Sequence, residues 1–231
     1  MRKLLLLPLL LLALFAAGCG GDDEGEKTTA TETTATTAAP EKDAAGCVVT
    51  EAPAPRGPGK EEKPTLRLDE DETYVVTVKT NCGDIPIELD VERAPKTAAS
   101  FAALVQNGFY DGLTFHRVIA DFVIQGGDPL GNGQGGPGYN VVEKPPSDLK
   151  YRRGIVAMAK AGVDPSGASG SQFFIVTAQD ASLPPDYALV GKVVQGGMST
   201  VNRVAAQPVE GPNSIPINDV VIESATIEPA P

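Results

Sequence analysis

Residues 115–128 read FHRVIADFVIQGGD, and this stretch decides the fold. Its apolar run carries one guanidinium, at Arg117, and one neutral amide, at Gln125, and two glycines then let the backbone turn away. An arginine and an amide among aromatic and aliphatic side chains are poorly suited to acid–base or metal chemistry. They are suited to holding an apolar group while donating hydrogen bonds to a carbonyl oxygen or an amide nitrogen. A purely structural arginine on the wet face of a strand is the alternative.

Other catalytic chemistries lack their motifs. The only histidine, His116, precedes Arg117, and strand alternation directs these two side chains to opposite faces, so we expect a structural histidine. No GxSxG elbow occurs, and the S-x-x-K at residues 147–150 lacks the companion motifs of penicillin-binding enzymes. The glycine-rich segment 130–139 has no GxxxxGK[ST] pattern, which argues against a phosphate-binding loop. A hydrolase or a nucleotide-binding function is therefore not supported.

The order of elements predicts a mainly β fold. Alternating runs at 74–80 and 84–90 predict a hairpin, and further strands are predicted at 155–159, 173–177, 188–194 and 220–228. A helix is expected from about residue 94, with Ala98, Phe101, Leu104 and Val105 on one face and Gly108 as its stop. A second helix is expected over 197–206. Many short strands and two helices indicate an antiparallel barrel or sandwich.

Two separated motifs carry a family resemblance. FHRV, Phe122 and QGGD resemble the signature of the cyclophilin-type peptidyl-prolyl cis-trans isomerases, and Met158-Ala159 with GSQFFI at 170–175 resembles that family's other core motif. The resemblance covers residues 73–228. It implies a closed eight-stranded antiparallel barrel capped by two helices. It also implies an enzyme that isomerises X–Pro bonds without a cofactor or a metal.

The resemblance also implies roles for individual residues. Arg117, Phe122 and Gln125 would be catalytic. Without the family, packing alone would account for the apolar members of the site. The implied substrate-binding residues are Val123, Ala159, Lys160, Gln172, Phe174, Leu183 and Tyr187. Three of these depart from the family pattern: Val123 replaces a common Met, Lys160 a usual Asn and Tyr187 a usual His.

The N-terminal third predicts export. A basic start and a Leu-rich run too short to span a membrane end in Ala16-Ala17-Gly18-Cys19, so residues 1–18 resemble a lipoprotein signal peptide and Cys19 its lipidated residue. An ordinary signal peptide is the alternative. Residues 19–68, rich in Thr, Ala, Pro and acidic side chains, predict a flexible tether before an isomerase domain at 69–231. The net charge of −11 argues against nucleic acid as a partner.

Two further cysteines and the class of partner complete the hypothesis. Cys47 and Cys82 are an even number in an oxidising compartment and are expected to form a disulfide, with two free thiols as the alternative. We expect a monomer, anchored by lipid to a bacterial membrane and facing the extracytoplasmic space, that acts on exported proteins with X–Pro bonds. A non-catalytic module that binds proline-containing peptides on the same fold is the rival hypothesis.

Overall fold

A curled antiparallel sheet and two helices make up the fold in the computed structural model, which describes residues 39–230. The helices are α1 (Pro95–Gln106) and α2 (Met198–Ala205). The strands are β1 (Tyr74–Thr80), β2 (Gly83–Leu89), β3 (Arg117–Ile119), β4 (Val123–Gly126), β5 (Val141–Val142), β6 (Ile155–Met158), β7 (Ala168–Ser169), β8 (Phe173–Val176), β9 (Leu189–Val193), β10 (Val209–Glu210), β11 (Ile215–Pro216) and β12 (Ile222–Pro229). The predicted hairpin, helices and mainly β class are confirmed.

The main sheet is a half-barrel. Its eight strands follow the order β12-β1-β2-β9-β6-β8-β4-β3, so β3 and β12 are its two edges and do not pair as strands. Within residues 39–230, the segments that precede these two strands share one bridge, Thr114 with Val221, and single bonds such as the one from Phe115 N to Val220 O. The expectation of a closed barrel is therefore wrong. The physical reason is that β3 has only three residues and pairs only with β4, so no ladder of hydrogen bonds closes the gap.

Alternation along the central strands divides the apolar residues between the two faces of the sheet. In β8, Phe173 and Ile175 join the main core, whereas Phe174 and Val176 join a second, smaller cluster. In β4, Ile124 likewise belongs to the main core and Val123 to the second cluster. Successive side chains of a strand point to opposite faces, so the sheet has an apolar patch on the face away from its main core.

The helix α1 begins at Pro95 and places its predicted apolar face in the main core. A side chain distant in sequence satisfies its first turn. The Glu143 carboxylate accepts hydrogen bonds from Lys96 N at 3.2 Å, from Thr97 N at 2.8 Å and from Thr97 Oγ1 at 2.8 Å. Helix N-terminal amides lack partners within the helix, so this carboxylate acts as the cap. Neither helix within residues 39–230 is long and apolar enough to cross a membrane.

The segment 39–68, the described part of the tether predicted at 19–68, lies against the domain. A disulfide joins Cys47 to Cys82 in the β1–β2 turn, and both cysteines are buried. Leu66 and Leu68 pack on the main core farther along. The predicted signal peptide at 1–18 and the lipidation site at Cys19 lie outside the described residues.

Candidate active site

The register of the central strands aligns the predicted site residues in one row. Arg117 of β3 lies opposite Gln125 of β4, which lies opposite Phe174 of β8, which lies opposite Ala157 of β6. Residues directly opposite on neighbouring antiparallel strands share a face and approach closely. The sheet therefore brings a cation, an amide and an aromatic ring together on the face of the second apolar cluster.

A chain of hydrogen bonds orients the polar members of this row. Arg117 Nη1 donates to Gln125 Oε1 at 3.2 Å, and Gln125 Nε2 donates to Gln172 Oε1 at 2.9 Å. Gln172 Nε2 then donates to the backbone oxygen of Gly135 at 2.8 Å. Each amide thus has its oxygen facing the preceding donor and its nitrogen facing the next acceptor. This arrangement directs the Gln125 oxygen toward the guanidinium of Arg117.

The apolar floor beside this chain consists of predicted residues. The well-buried members are Val123, 3% exposed, and Phe174, 4% exposed, and the others are half-buried at its surface. The rings of Phe174 and Tyr187 meet edge to face, with centroids 5.4 Å apart. The predicted residues in this cluster are Phe122, Val123, Ala159, Phe174, Leu183 and Tyr187. A partly open apolar surface of this kind, bordered by hydrogen-bond donors, fits a small nonpolar group joined to an amide.

Tyr151 supports this floor from below, a role that the sequence did not indicate. Its ring is fully buried and lies 6.1 Å from the ring of Phe174 and 6.0 Å from that of Tyr187, between centroids. Its hydroxyl donates to Tyr187 O at 2.6 Å and accepts from Tyr187 N at 3.0 Å. Burial raises the pKa of Tyr151 to about 12, so the hydroxyl keeps its proton and its donor role.

Lys160 borders the floor on the side of Tyr187. Its Nζ lies 2.8 Å from Asp186 Oδ2, donates to Asp164 O at 3.2 Å and sits 5.7 Å from the centroid of the Tyr187 ring. The hydrogen bond between them raises the pKa of Lys160 and lowers the pKa of Asp186, so both stay charged. Sequence reasoning named Lys160 but missed Asp186, because their contact joins loops far apart in sequence.

Asp128, the last residue of the 115–128 stretch, organises the loop next to the site. Asp128 is 1% exposed, and its carboxylate accepts hydrogen bonds from Leu130 N at 2.8 Å and from Asn132 N at 3.0 Å. A Cβ on Gly135 would lie 2.0 Å from Asp128 Oδ1, so the loop closes around the carboxylate only with glycine there. His116 immediately precedes β3 and is buried, with 8% of its surface exposed.

A cavity of about 470 Å³ opens beside the polar chain and includes Gln125, Ala159, Lys160 and Gln172 in its lining. It adjoins the apolar floor through Ala159, whose backbone nitrogen donates to Gln172 O at 2.8 Å. The predicted substrate-binding residues are therefore divided between this cavity and the apolar floor next to it. Cys47 and Cys82 form the disulfide described above, and Cys19, the predicted lipidation site, lies outside the described residues.

Comparisons with known proteins agree with this geometry. The family model described as cyclophilin type peptidyl-prolyl cis-trans isomerase/CLD matches residues 75–227. Peptidyl-prolyl cis-trans isomerase B of Streptomyces anulatus is 40% identical over 174 residues, which cover 68% of this chain and 98% of that protein. The chain belongs to the cyclophilin-type peptidyl-prolyl cis-trans isomerases, and it is an enzyme of that type.

Solved structures show the same fold. A cyclophilin type isomerase of Cryptosporidium parvum has a TM-score of 0.63 and 36% identity, with 69% of this chain and 99% of that one covered. A structure of that protein in the presence of the dipeptide Ala-Pro has a TM-score of 0.61 and 37% identity, with 67% and 98% covered. The matched residues lie in the sheet and helices, and the segment before residue 75 is outside the family match.

Proposed function

We propose that Arg117 catalyses X–Pro isomerisation by donating a hydrogen bond to the prolyl nitrogen as the amide twists. Uncatalysed X–Pro isomerisation is slow because amide resonance opposes rotation. Rotation frees the nitrogen lone pair, so a donor aimed at it stabilises the twisted state more than the planar one. The observation that carries the proposal is the chain from Arg117 through Gln125 to Gln172, which fixes the guanidinium beside the apolar floor.

The apolar floor would bind the proline ring while Arg117 acts on the amide. Within residues 39–230 the Arg117 guanidinium donates only to Gln125, which leaves further N–H groups for a substrate. The proline ring packs on Phe122, Val123, Phe174 and Leu183. The second N–H of the Gln125 side-chain amide donates a hydrogen bond to a substrate carbonyl. Dry surroundings disfavour the charge-separated planar form and strengthen the hydrogen bond from Arg117. The Ala-Pro dipeptide named with the Cryptosporidium parvum structure supports a proline-containing peptide as the ligand.

The test of this role is Arg117→Ala in a protease-coupled assay on an X–Pro peptide. Turnover is expected to fall by at least about a hundredfold with the fold intact, because the lost interaction acts mainly in the twisted state. Arg117→Lys is expected to recover little of it, since an ammonium lacks the planar fork of donors. Arg67→Ala, at an exposed arginine of the N-terminal segment, is the matched control. Unchanged turnover in folded Arg117→Ala would remove the role.

We further propose that the protein is exported, lipid-anchored through Cys19 and active as a monomer on exported proteins that contain X–Pro bonds. The Leu-rich run before Ala16-Ala17-Gly18-Cys19 supports this location. The Cys47–Cys82 disulfide supports it independently, because disulfides persist in oxidising compartments. In a bacterial host, Cys19→Ser is expected to move the protein from the membrane to the soluble extracytoplasmic fraction with its activity retained. A variant that stays on the membrane after signal cleavage would contradict the anchor.

A further inference from the structure

The N-terminal strap, residues 47–61, is tied to the domain at several points. The disulfide holds its first residue, and Val48 N donates to Asn81 O at 2.9 Å. In the middle, Arg56 N donates to Pro129 O at 3.0 Å, and the Arg56 guanidinium lies 5.5 Å from the centroid of the Phe109 ring. At the far end Gly59 N donates to Gly136 O at 3.0 Å. Backbone hydrogen bonds therefore join the strap to the loop formed by residues 129–138.

The contact between strap and loop requires glycine on both sides. A Cβ on Gly59 would lie 2.6 Å from Gly136 O and 2.7 Å from Pro137 Cα. A Cβ on Gly138 would lie 2.8 Å from Gly59 O. All of these neighbours are backbone atoms, so a side chain on either glycine forces the two segments apart. The hydrogen bond from Glu61 N to Pro137 O, at 2.7 Å, closes the same contact.

This loop ends the hydrogen-bond chain of the active site. Gly135, which precedes Gly136, supplies the carbonyl that accepts from Gln172 Nε2. That bond fixes the direction of the Gln172 amide, which in turn accepts from Gln125 and leaves the Gln125 oxygen for Arg117. The strap thus supports the outermost acceptor of a chain that ends at the guanidinium.

We infer that Gly59 is a positioning residue for the isomerase reaction, and that the strap holds the Gly135 carbonyl where it orients Gln172 and Gln125. The inference rests on the proposed role of Arg117 and its partner Gln125. It assigns a part in catalysis to a segment that lies before the family match. Displacing the strap frees Gln172 to rotate and Gln125 to turn its amide away from Arg117, which lowers the population of enzyme ready to react.

The experiment is Gly59→Ala in the full chain. We expect kcat/KM to fall about two- to tenfold, mainly in kcat, which is the range that one hydrogen bond controls. The side-chain amide NMR signals of Gln125 and Gln172 are expected to shift with it, which a loss of stability alone would not cause. Gly162→Ala is the matched control, because a Cβ there meets nothing within 4 Å. That variant should leave both activity and amide signals unchanged.

A double-mutant cycle with Gln172→Ala tests the route. In the Gln172→Ala background, Gly59→Ala is expected to add no further loss, because the strap acts through that amide. Reducing the disulfide of the wild type should lower kcat/KM in the same direction, which covers the case of a Gly59→Ala protein that fails to fold. Full activity in both the folded variant and the reduced enzyme, or additive losses in the cycle, would overturn the inference. A loss in Arg117→Ala beside those results would leave the proposed function standing.

Discussion

At the scale of the residue, burial of His116 makes stability depend on pH. Burial lowers the pKa of His116, with Asp128 raising it and Arg117 lowering it by smaller amounts. The unfolded chain therefore takes up the proton more readily, and the folded state loses stability as pH falls through the ordinary histidine pKa of about 6.5. We expect the urea midpoint to fall between about pH 7 and about pH 5, where carboxylates contribute little.

His116→Gln isolates this effect because the chain has one histidine. The variant is expected to have a flatter dependence of its urea midpoint on pH over the same interval. Arg67→Ala, at an exposed arginine of the N-terminal segment, is the comparison that keeps the imidazole and its neighbours. An equal pH dependence in wild type and His116→Gln would show that another group takes up the proton.

Single residues of the site divide into those that sequence can predict and those that it cannot. Arg117, Gln125 and Phe174 were named from the family resemblance, and the register of β3, β4 and β8 places them opposite one another on one face. Tyr151 and Asp186 were not named, because their contacts with Tyr187 and Lys160 depend on how separate loops meet. The roles proposed for the predicted residues stay predictions until the variants are measured.

At the scale of the element, α1 depends on a cap from outside the helix. Glu143 accepts three hydrogen bonds at the first turn, and Ala94 at the N-cap has no side chain that does so. We expect Glu143→Ala to lower the free energy of unfolding by about 1 kcal/mol, measured by urea denaturation. Glu143→Gln should lose less, because one acceptor oxygen remains.

Glu62→Ala is the matched control for this cap, since Glu62 is an exposed residue of the segment before the domain and the change removes the same charge. Its unfolding free energy should stay close to that of the wild type. If Glu143→Ala and Glu62→Ala were equally stable, the carboxylate would not be the cap of α1.

The strands differ in whether a periodic sequence pattern could predict them. The strands of the main sheet were predictable from alternation and length, whereas β5, β7, β10 and β11 have two residues each and carry no periodic signal. Closure of the barrel was predicted from resemblance and is wrong, because the pairing of the two edge strands depends on distances that no local pattern encodes.

At the scale of the whole molecule, the strap is held by bonds rather than by apolar burial. Residues 47–61 are poor in large apolar side chains and can bury little apolar surface. Backbone hydrogen bonds to the loop and one covalent bond to Cys82 supply what apolar burial does not. Prolines at 53, 55 and 58 restrict the unfolded chain, so ordering this segment costs less entropy.

The same covalent bond should contribute to the stability of the whole domain. Cys47 and Cys82 are 35 positions apart. In the chain-entropy model, cross-linking a loop of that length removes entropy from the unfolded chain and so raises the free energy of unfolding by about 3–4 kcal/mol. We therefore expect reductant to lower the free energy of unfolding by that order in urea denaturation. The m-value should rise as well, because the reduced unfolded chain expands and exposes more surface.

A Cys47→Ser/Cys82→Ser variant separates this effect from other actions of the reductant. Its unfolding should be the same with and without reductant, and close to that of the reduced wild type. Both sulfurs are buried, so the hydroxyls add a small cost of their own, which the comparison with reduced wild type measures directly. If reduced and oxidised wild type unfolded at the same urea concentration with the same m-value, the unfolded chain would already hold these two positions together. The bond would then act on the strap alone and not on the stability of the fold.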